Sequence, residues 1–140
     1  MSTGKQTERY ERLIALFDRA PIKHTFHMEL SFSEHGSAVF EMEHQAKLEH
    51  AIGDTHGGVL ATLLDCAGWF TAAACYDTWI ATVEMQVRFL EPARKEKLRA
   101  VGRLVRAGKR LAVAEMDVRG KDGRLVATGS GTFALTSVPY

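Results

Sequence analysis

From Gly57 to Tyr76 the chain is apolar for about five helical turns, and Asp65 is the only charged residue inside that run. Such a run predicts a helix buried on all sides. Asp54-Thr55-His56 before Gly57-Gly58 marks its mouth, where free backbone N–H groups and the helix dipole favour negative charge. Upstream, Tyr10, Leu13, Ile14 and Phe17 form one stripe at helical spacing. They predict an amphipathic helix from Thr3 to Ala20. Thr3 and Gln6 have capping-box spacing. Pro21 ends the helix, because the residue before a proline is pushed out of the helical region.

Elsewhere the period is two. Phe26, Met28, Leu30 and Phe32 alternate with polar residues, Glu34 to Ser37 turn the chain, and Ala38, Phe40 and Met42 alternate again. Ile22 to Gln45 therefore reads as a hairpin with one buried face, and Gln45 to Thr55 as a loop. After the long helix, Trp79, Ala81, Val83, Met85, Val87 and Phe89 point one way, with Thr82, Glu84, Gln86 and Arg88 opposite. Strands follow at Lys97–Arg106, Leu111–Arg119 and Arg124–Thr136, separated by the turn signals Gly108-Lys109 and Asp122-Gly123. The order is helix, two strands, long helix, four strands. An antiparallel sheet curled around the apolar helix would bury it, which gives an α+β architecture.

The 140 residues make one domain, 1–140, with 1–21 as an N-terminal helical extension. A formal charge of +1 gives no electrostatic reason to expect nucleic acid or a membrane surface as partner. The charged N-terminal stretch has no apolar core of a secretory signal. The Gly57–Tyr76 run is near membrane-spanning length, but Asp65 at its centre would cost about 2.5–3.5 kcal/mol in a bilayer. Cys66 and Cys75 lie nine residues apart, about 13 Å along one helix, too far to bridge each other. Two reduced cysteines fit a cytoplasmic protein.

A carboxylate in an apolar helix is costly unless paired, hydrogen-bonded or used, so Asp65 reads either as a satisfied structural acid or as a working group. The histidines do not suggest a metal. His44, His50 and His56 recur every six residues, which matches neither a strand face nor a helical pair, and His24 and His27 fall on opposite faces. No cofactor motif stands in a fitting context: Gly129-Ser130-Gly131 lies in a strand with no helix after it.

His56-Gly57-Gly58 followed by Leu63-Leu64-Asp65-Cys66-Ala67 resembles the H-G-G-x(4)-L-x-D-x-A signature of hotdog-fold acyl-coenzyme A thioesterases. The phenylacetate-degradation (PaaI-like) branch is the most similar, and the resemblance spans roughly Phe40 to Leu135. It implies a hotdog fold, with the sheet wrapped around the helix, and active sites at the junction of two chains in a homodimer or homotetramer. It also implies acyl-coenzyme A as substrate, Asp65 as catalytic carboxylate, the Gly58 amide as the group polarising the carbonyl, and Thr82 as the hydroxyl that positions water. Many members carry Asn or Gln six residues before the histidine of the motif. Here that position is His50, and the chain contains no asparagine. Either His50 donates the equivalent hydrogen bond or Gln45 reaches in.

The spacing adds an argument of its own. Gly57 and Gly58 offer donors for a developing oxyanion, while Asp65 lies about 12 Å further along the same helix. That is too far to act on a carbonyl held at its own mouth, so a second, antiparallel chain would have to supply the carboxylate. His56, at the helix entry, is a candidate base but fits a capping role better. The basic residues from Lys95 to Arg110 are either a solvated face or coenzyme A phosphate ligands. Trp69 and Phe70 are either core or the lining of an acyl or aryl pocket. Thioester hydrolysis is the favoured function. The alternatives are an enoyl-thioester hydratase or dehydratase, which needs a base beside the α or β carbon, and a non-catalytic acyl-coenzyme A binding protein.

Overall fold

A computed structural model describes residues 3–140. Helix α1 (Thr3–Asp18) leads into α2 (Pro21–Phe26), then strands β1 (Met28–Phe32) and β2 (Ala38–Met42). The central helix α3 (Gly57–Ala73) follows, then β3 (Thr78–Phe89), β4 (Leu98–Ala107), β5 (Leu111–Arg119) and β6 (Leu125–Pro139). The six strands form one antiparallel sheet in the order β1-β2-β4-β5-β6-β3. Helix α3 touches β2, β3, β4, β5 and β6, so the sheet wraps it as the hotdog arrangement requires. No helix among the described residues is long and apolar enough to cross a membrane.

The seat of α3 is built from small residues. A Cβ at Gly102 on β4 would stand 2.3 Å from both the Ala67 carbonyl oxygen and Thr71 Oγ1, and one at Gly68 would stand 2.8 Å from Met116 Sδ. Helix and sheet therefore meet almost backbone to backbone. Ala100, Ala112 and Ala114 continue this floor and are fully buried. Leu63 and Leu64 are also fully buried, contributing about 1.5–3 kcal/mol each. Thr71 Oγ1 accepts the Ala38 N–H at 2.9 Å, which ties the helix to the start of β2.

Three expectations change. First, Pro21–Phe26 is a short helix rather than the start of a strand. Pro21 stops α1 but suits the first turn of the next helix, where its missing N–H is not needed. His27 closes α2 in the left-handed region at φ 53°. The capping position before Thr3 lies outside the described residues.

Second, α3 is buried all round only in its C-terminal half. Gly58, Ala61, Thr62, Asp65 and Cys66 form a stripe that is open or half-open. Third, the expected alternation of β3 breaks at a bulge between Thr82 and Glu84. Ile80 is buried and Thr82 reaches Asp65, whereas beyond the bulge Met85 and Val87 face the core. Unbroken alternation from Ile80 would have pushed Glu84 and Gln86 inward. The extra residue, Val83, is 58% exposed, so the face expected to carry Trp79, Val83 and Phe89 inward does not exist.

Gly102→Ala should destabilise the fold by about 1–3 kcal/mol, because the new methyl meets a backbone carbonyl that cannot step aside. Urea denaturation would measure this, and an unchanged midpoint would show that α3 is not seated as described.

Candidate active site

The loop before α3 is fixed by its own backbone. His50 N–H donates to the Asp54 carbonyl at 2.9 Å, Thr55 N–H to Ala93 at 2.8 Å and His56 N–H to Leu48 at 2.9 Å. The buried Asp54 carboxylate accepts from Arg94 Nε at 2.6 Å, and that hydrogen bond is the main cause holding its pKa below the ordinary value. His56 is the N-cap, and its Nδ1 accepts the Gly58 N–H at 2.8 Å. The two amides at the mouth therefore differ in their surroundings. The Gly58 amide is spent on the cap, whereas the Gly57 N–H, first in the helix, makes no hydrogen bond within the described residues.

Gly57 lines a cavity of about 300 Å³ together with His50, Asp54 and Phe89. His50 Nδ1 accepts the Ile52 N–H at 3.2 Å. The neutral ring then carries its proton on Nε2, which lies 3.7 Å from Asp54 Oδ2. Gln45 does not reach this cavity; its amide donates to the Phe26 carbonyl at the end of α2.

Asp65 lies in a different place. It sits on the open stripe of α3 and borders a second cavity of about 570 Å³, which holds none of the mouth residues. Thr82 Oγ1 donates to Asp65 Oδ1 at 2.8 Å. Burial raises the carboxyl pKa above its ordinary value, and the Thr82 hydrogen bond offsets part of that rise. The neighbouring Cys66 thiol is pushed up to about 12 by burial and by the Asp65 charge, so it stays protonated at neutral pH and is no nucleophile.

The chain thus brings Asp65 to Thr82 and His50 to Gly57, and keeps the two pairs apart. The other histidines serve locally: His44 meets Glu49 Oε2 at 2.7 Å and His24 meets the Asp18 carbonyl at 3.0 Å. Among the basic residues considered for coenzyme A, Lys97 is paired with Glu41 and Arg103 with Asp117. Sequence reasoning missed the contribution of Phe17, Ile22 and Trp79 to the Asp65 cavity. Phe17 was read as part of a helical stripe, Ile22 as part of a hairpin and Trp79 as the start of a strand, so none of them pointed to the cavity.

A long helix wrapped by one antiparallel sheet, with a lone acid on its uncovered stripe and an amide at its mouth, defines a hotdog-fold protein. Its family follows from sequence. The profile of the thioesterase superfamily matches residues 52–127, and the chain belongs to that superfamily, whose chemistry is thioester hydrolysis. Human acyl-coenzyme A thioesterase 13 is 31% identical over 104 residues, covering 71% of this chain and 74% of the human protein. A solved Shewanella oneidensis protein related to the thioesterase superfamily is 27% identical, with a TM-score of 0.86 over 96% of this chain and all of its own. The Escherichia coli PaaI protein of the phenylacetic acid degradation operon shares the fold at a TM-score of 0.88 and 18% identity, covering 96% of this chain and 97% of its own.

The raised pKa of Asp65 has a consequence for stability. At low pH folded and unfolded chains both hold the proton, and full stability is present. As pH rises the unfolded chain ionises first, and stability falls until the folded-state pKa is passed. Asp65→Asn should therefore raise the thermal midpoint at pH 7 and lose that advantage near pH 3. A variant equally stabilised at both values would show that desolvation of the charge is not the cause.

Proposed function

We propose that the protein hydrolyses acyl-coenzyme A thioesters at sites shared between two copies of the chain. The observation that carries this is the separation of Asp65–Thr82 from Gly57–His50 by about 12 Å of helix, in two cavities of one chain. Strand β3 supports the pairing. It is an edge strand of 12 residues, with Val83, Phe89 and nearby Leu90 exposed, and a long apolar edge of this kind invites a second strand. Asp65 lies opposite Thr82, and Gly57 opposite Phe89. A twofold axis near Met85 and Gln86 would therefore set one chain's Asp65 beside its partner's Gly57.

In this arrangement the thioester oxygen accepts from the Gly57 N–H and from His50 Nε2–H, donors placed where negative charge develops. Thr82 occupies Oδ1 of Asp65, which leaves Oδ2 to take a proton from water as the water oxygen attacks the carbonyl carbon. The tetrahedral intermediate expels the coenzyme A thiolate, and the proton held by Asp65 passes to the sulfur. Direct attack by Asp65 on the carbonyl, through an anhydride that water then opens, uses the same geometry. Enoyl hydration fits less well, because the His56 nitrogen that could act as its base is engaged by Gly58 N–H.

Complementation tests the shared site. Gly57→Pro removes the donor at the one helical position where proline is well tolerated, and the preceding His56, at φ −59° and ψ 137°, already has a backbone that proline accepts. Asp65→Asn and Gly57→Pro homodimers should each be nearly inactive. A freely exchanging equal mixture should recover roughly a quarter of wild-type turnover, since half the dimers are hybrids with one whole site. No recovery from folded, exchanging chains would mean that both groups serve one chain's site or that one is not used.

Thr82→Val should move the acid limb of kcat/KM to higher pH. The Thr82 hydrogen bond lowers the Asp65 pKa, so losing it raises the pH at which the ionised form appears. An unmoved limb would separate Thr82 from the titration of Asp65.

A further inference from the structure

The cavity beside Asp65 runs away from that carboxylate along α3 and β3, and its remaining wall comes from the corner between α1 and α2. Its side chains fall into two groups. Trp69 is buried and fixed: its indole N–H donates to the Ile80 carbonyl at 2.7 Å, and its ring packs on Phe70 at 4.8 Å. Phe17 of α1 backs Phe70 at 5.4 Å. Trp79 and Ile22, by contrast, remain 42% and 40% exposed while lining the same cavity. Trp79 packs one side of its ring on Trp69 at 4.7 Å, and what remains open of it and of Ile22 is apolar surface in a concave wall beside the half-buried Asp65.

Length follows from the elements. From Asp65 to Phe70 the helix advances about 7.5 Å, and from Thr82 to Trp79 the strand advances about 10 Å. An extended chain advances about 1.2 Å per backbone atom, so the cavity matches about six to eight carbons. Apart from Asp65 and Thr82 at one end, the only charged residue that lines it is Arg19, which is exposed to solvent.

Resting on the reading of Asp65 as the group that acts on the thioester carbonyl, we propose that this cavity takes a medium-chain acyl group of up to about eight carbons. Trp79, which lines the cavity together with Ile22 of the N-terminal corner, sets the upper limit. The acyl chain passes Asp65 into that residue's own chain, while the carbonyl oxygen stays at the partner's helix mouth. The N-terminal extension is then part of the specificity machinery.

The chain's two tryptophans both line this cavity, so their emission reports its occupancy without any turnover. In folded Asp65→Asn protein, octanoyl-coenzyme A should change the emission saturably, while coenzyme A alone at the same concentration should not. In active protein, kcat/KM should rise to about eight carbons and fall by about tenfold or more towards sixteen. Trp79→Ala should move that fall to longer chains, and Ile22→Ala, in the same cavity, gives the same reading if the first variant folds poorly. An emission change matched by coenzyme A alone, or a chain-length profile unmoved in both folded variants, overturns the proposal. If octanoyl-coenzyme A perturbs the emission but no thioester is cleaved by wild type, hydrolysis fails and the cavity assignment stands. If cleavage depends on Asp65 while emission stays silent, the cavity assignment fails alone.

Discussion

One constraint governs the molecule: an α-helix separates residues along its axis by a fixed rise. The mouth of α3 collects an amide and the His50 ring; the middle of α3 carries Asp65. Nothing within one chain can shorten the distance between them, because α3 is clamped to the sheet where Gly68 and Gly102 allow near contact of backbones. A more loosely seated helix could tilt or slide. This one leaves its acid on a stripe that its own sheet does not cover, beside an edge strand that lacks a neighbour. The open stripe, the free edge and the divided cavities each express the same geometry, and the second copy proposed above would resolve all of them together.

The central helix was legible because burial writes itself into composition: a run of about five apolar turns has few alternatives. The hairpin of β1 and β2 and the three strands after β3 were legible from alternation. Two features were not. Pro21 reads as a stop for the helix before it and equally as a start for the helix after it, so α2 left no separate signal. The bulge at Val83 is invisible to a period-two reading, which placed Thr82 away from the core. Asp65 supplies the physical reason for the break, since a hydroxyl pointing inward at Thr82 has a carboxylate to meet, whereas Glu84 on the same face would not.

The site was partly legible for a related reason. Asp65 stands out as a charge in an apolar run and Gly57-Gly58 as small residues at its mouth, whereas His50 and Thr82 are ordinary in their own segments and were named only through the resemblance. The difference between the Gly57 and Gly58 amides was not available from sequence, because it depends on which N–H the His56 ring accepts. A cavity wall drawn from three separate elements leaves even less trace. Ile22 and Trp79 are unremarkable in their own segments, and only the turn between α1 and α2 sets them against the same space.

The electrostatics of Asp65 show how a single acid can be kept both costly and useful. Burial raises its pKa, and in the proposed reaction this would favour the ionised form as a base, because a poorly solvated carboxylate gains more from taking a proton. Burial alone would raise the pKa further. Thr82 sets the opposite limit, since one hydrogen bond to Oδ1 restores part of the lost solvation and leaves Oδ2 unshared. The bulge in β3 is what turns Thr82 towards the helix. A local irregularity of the sheet edge is thus coupled to the protonation of a residue on the helix.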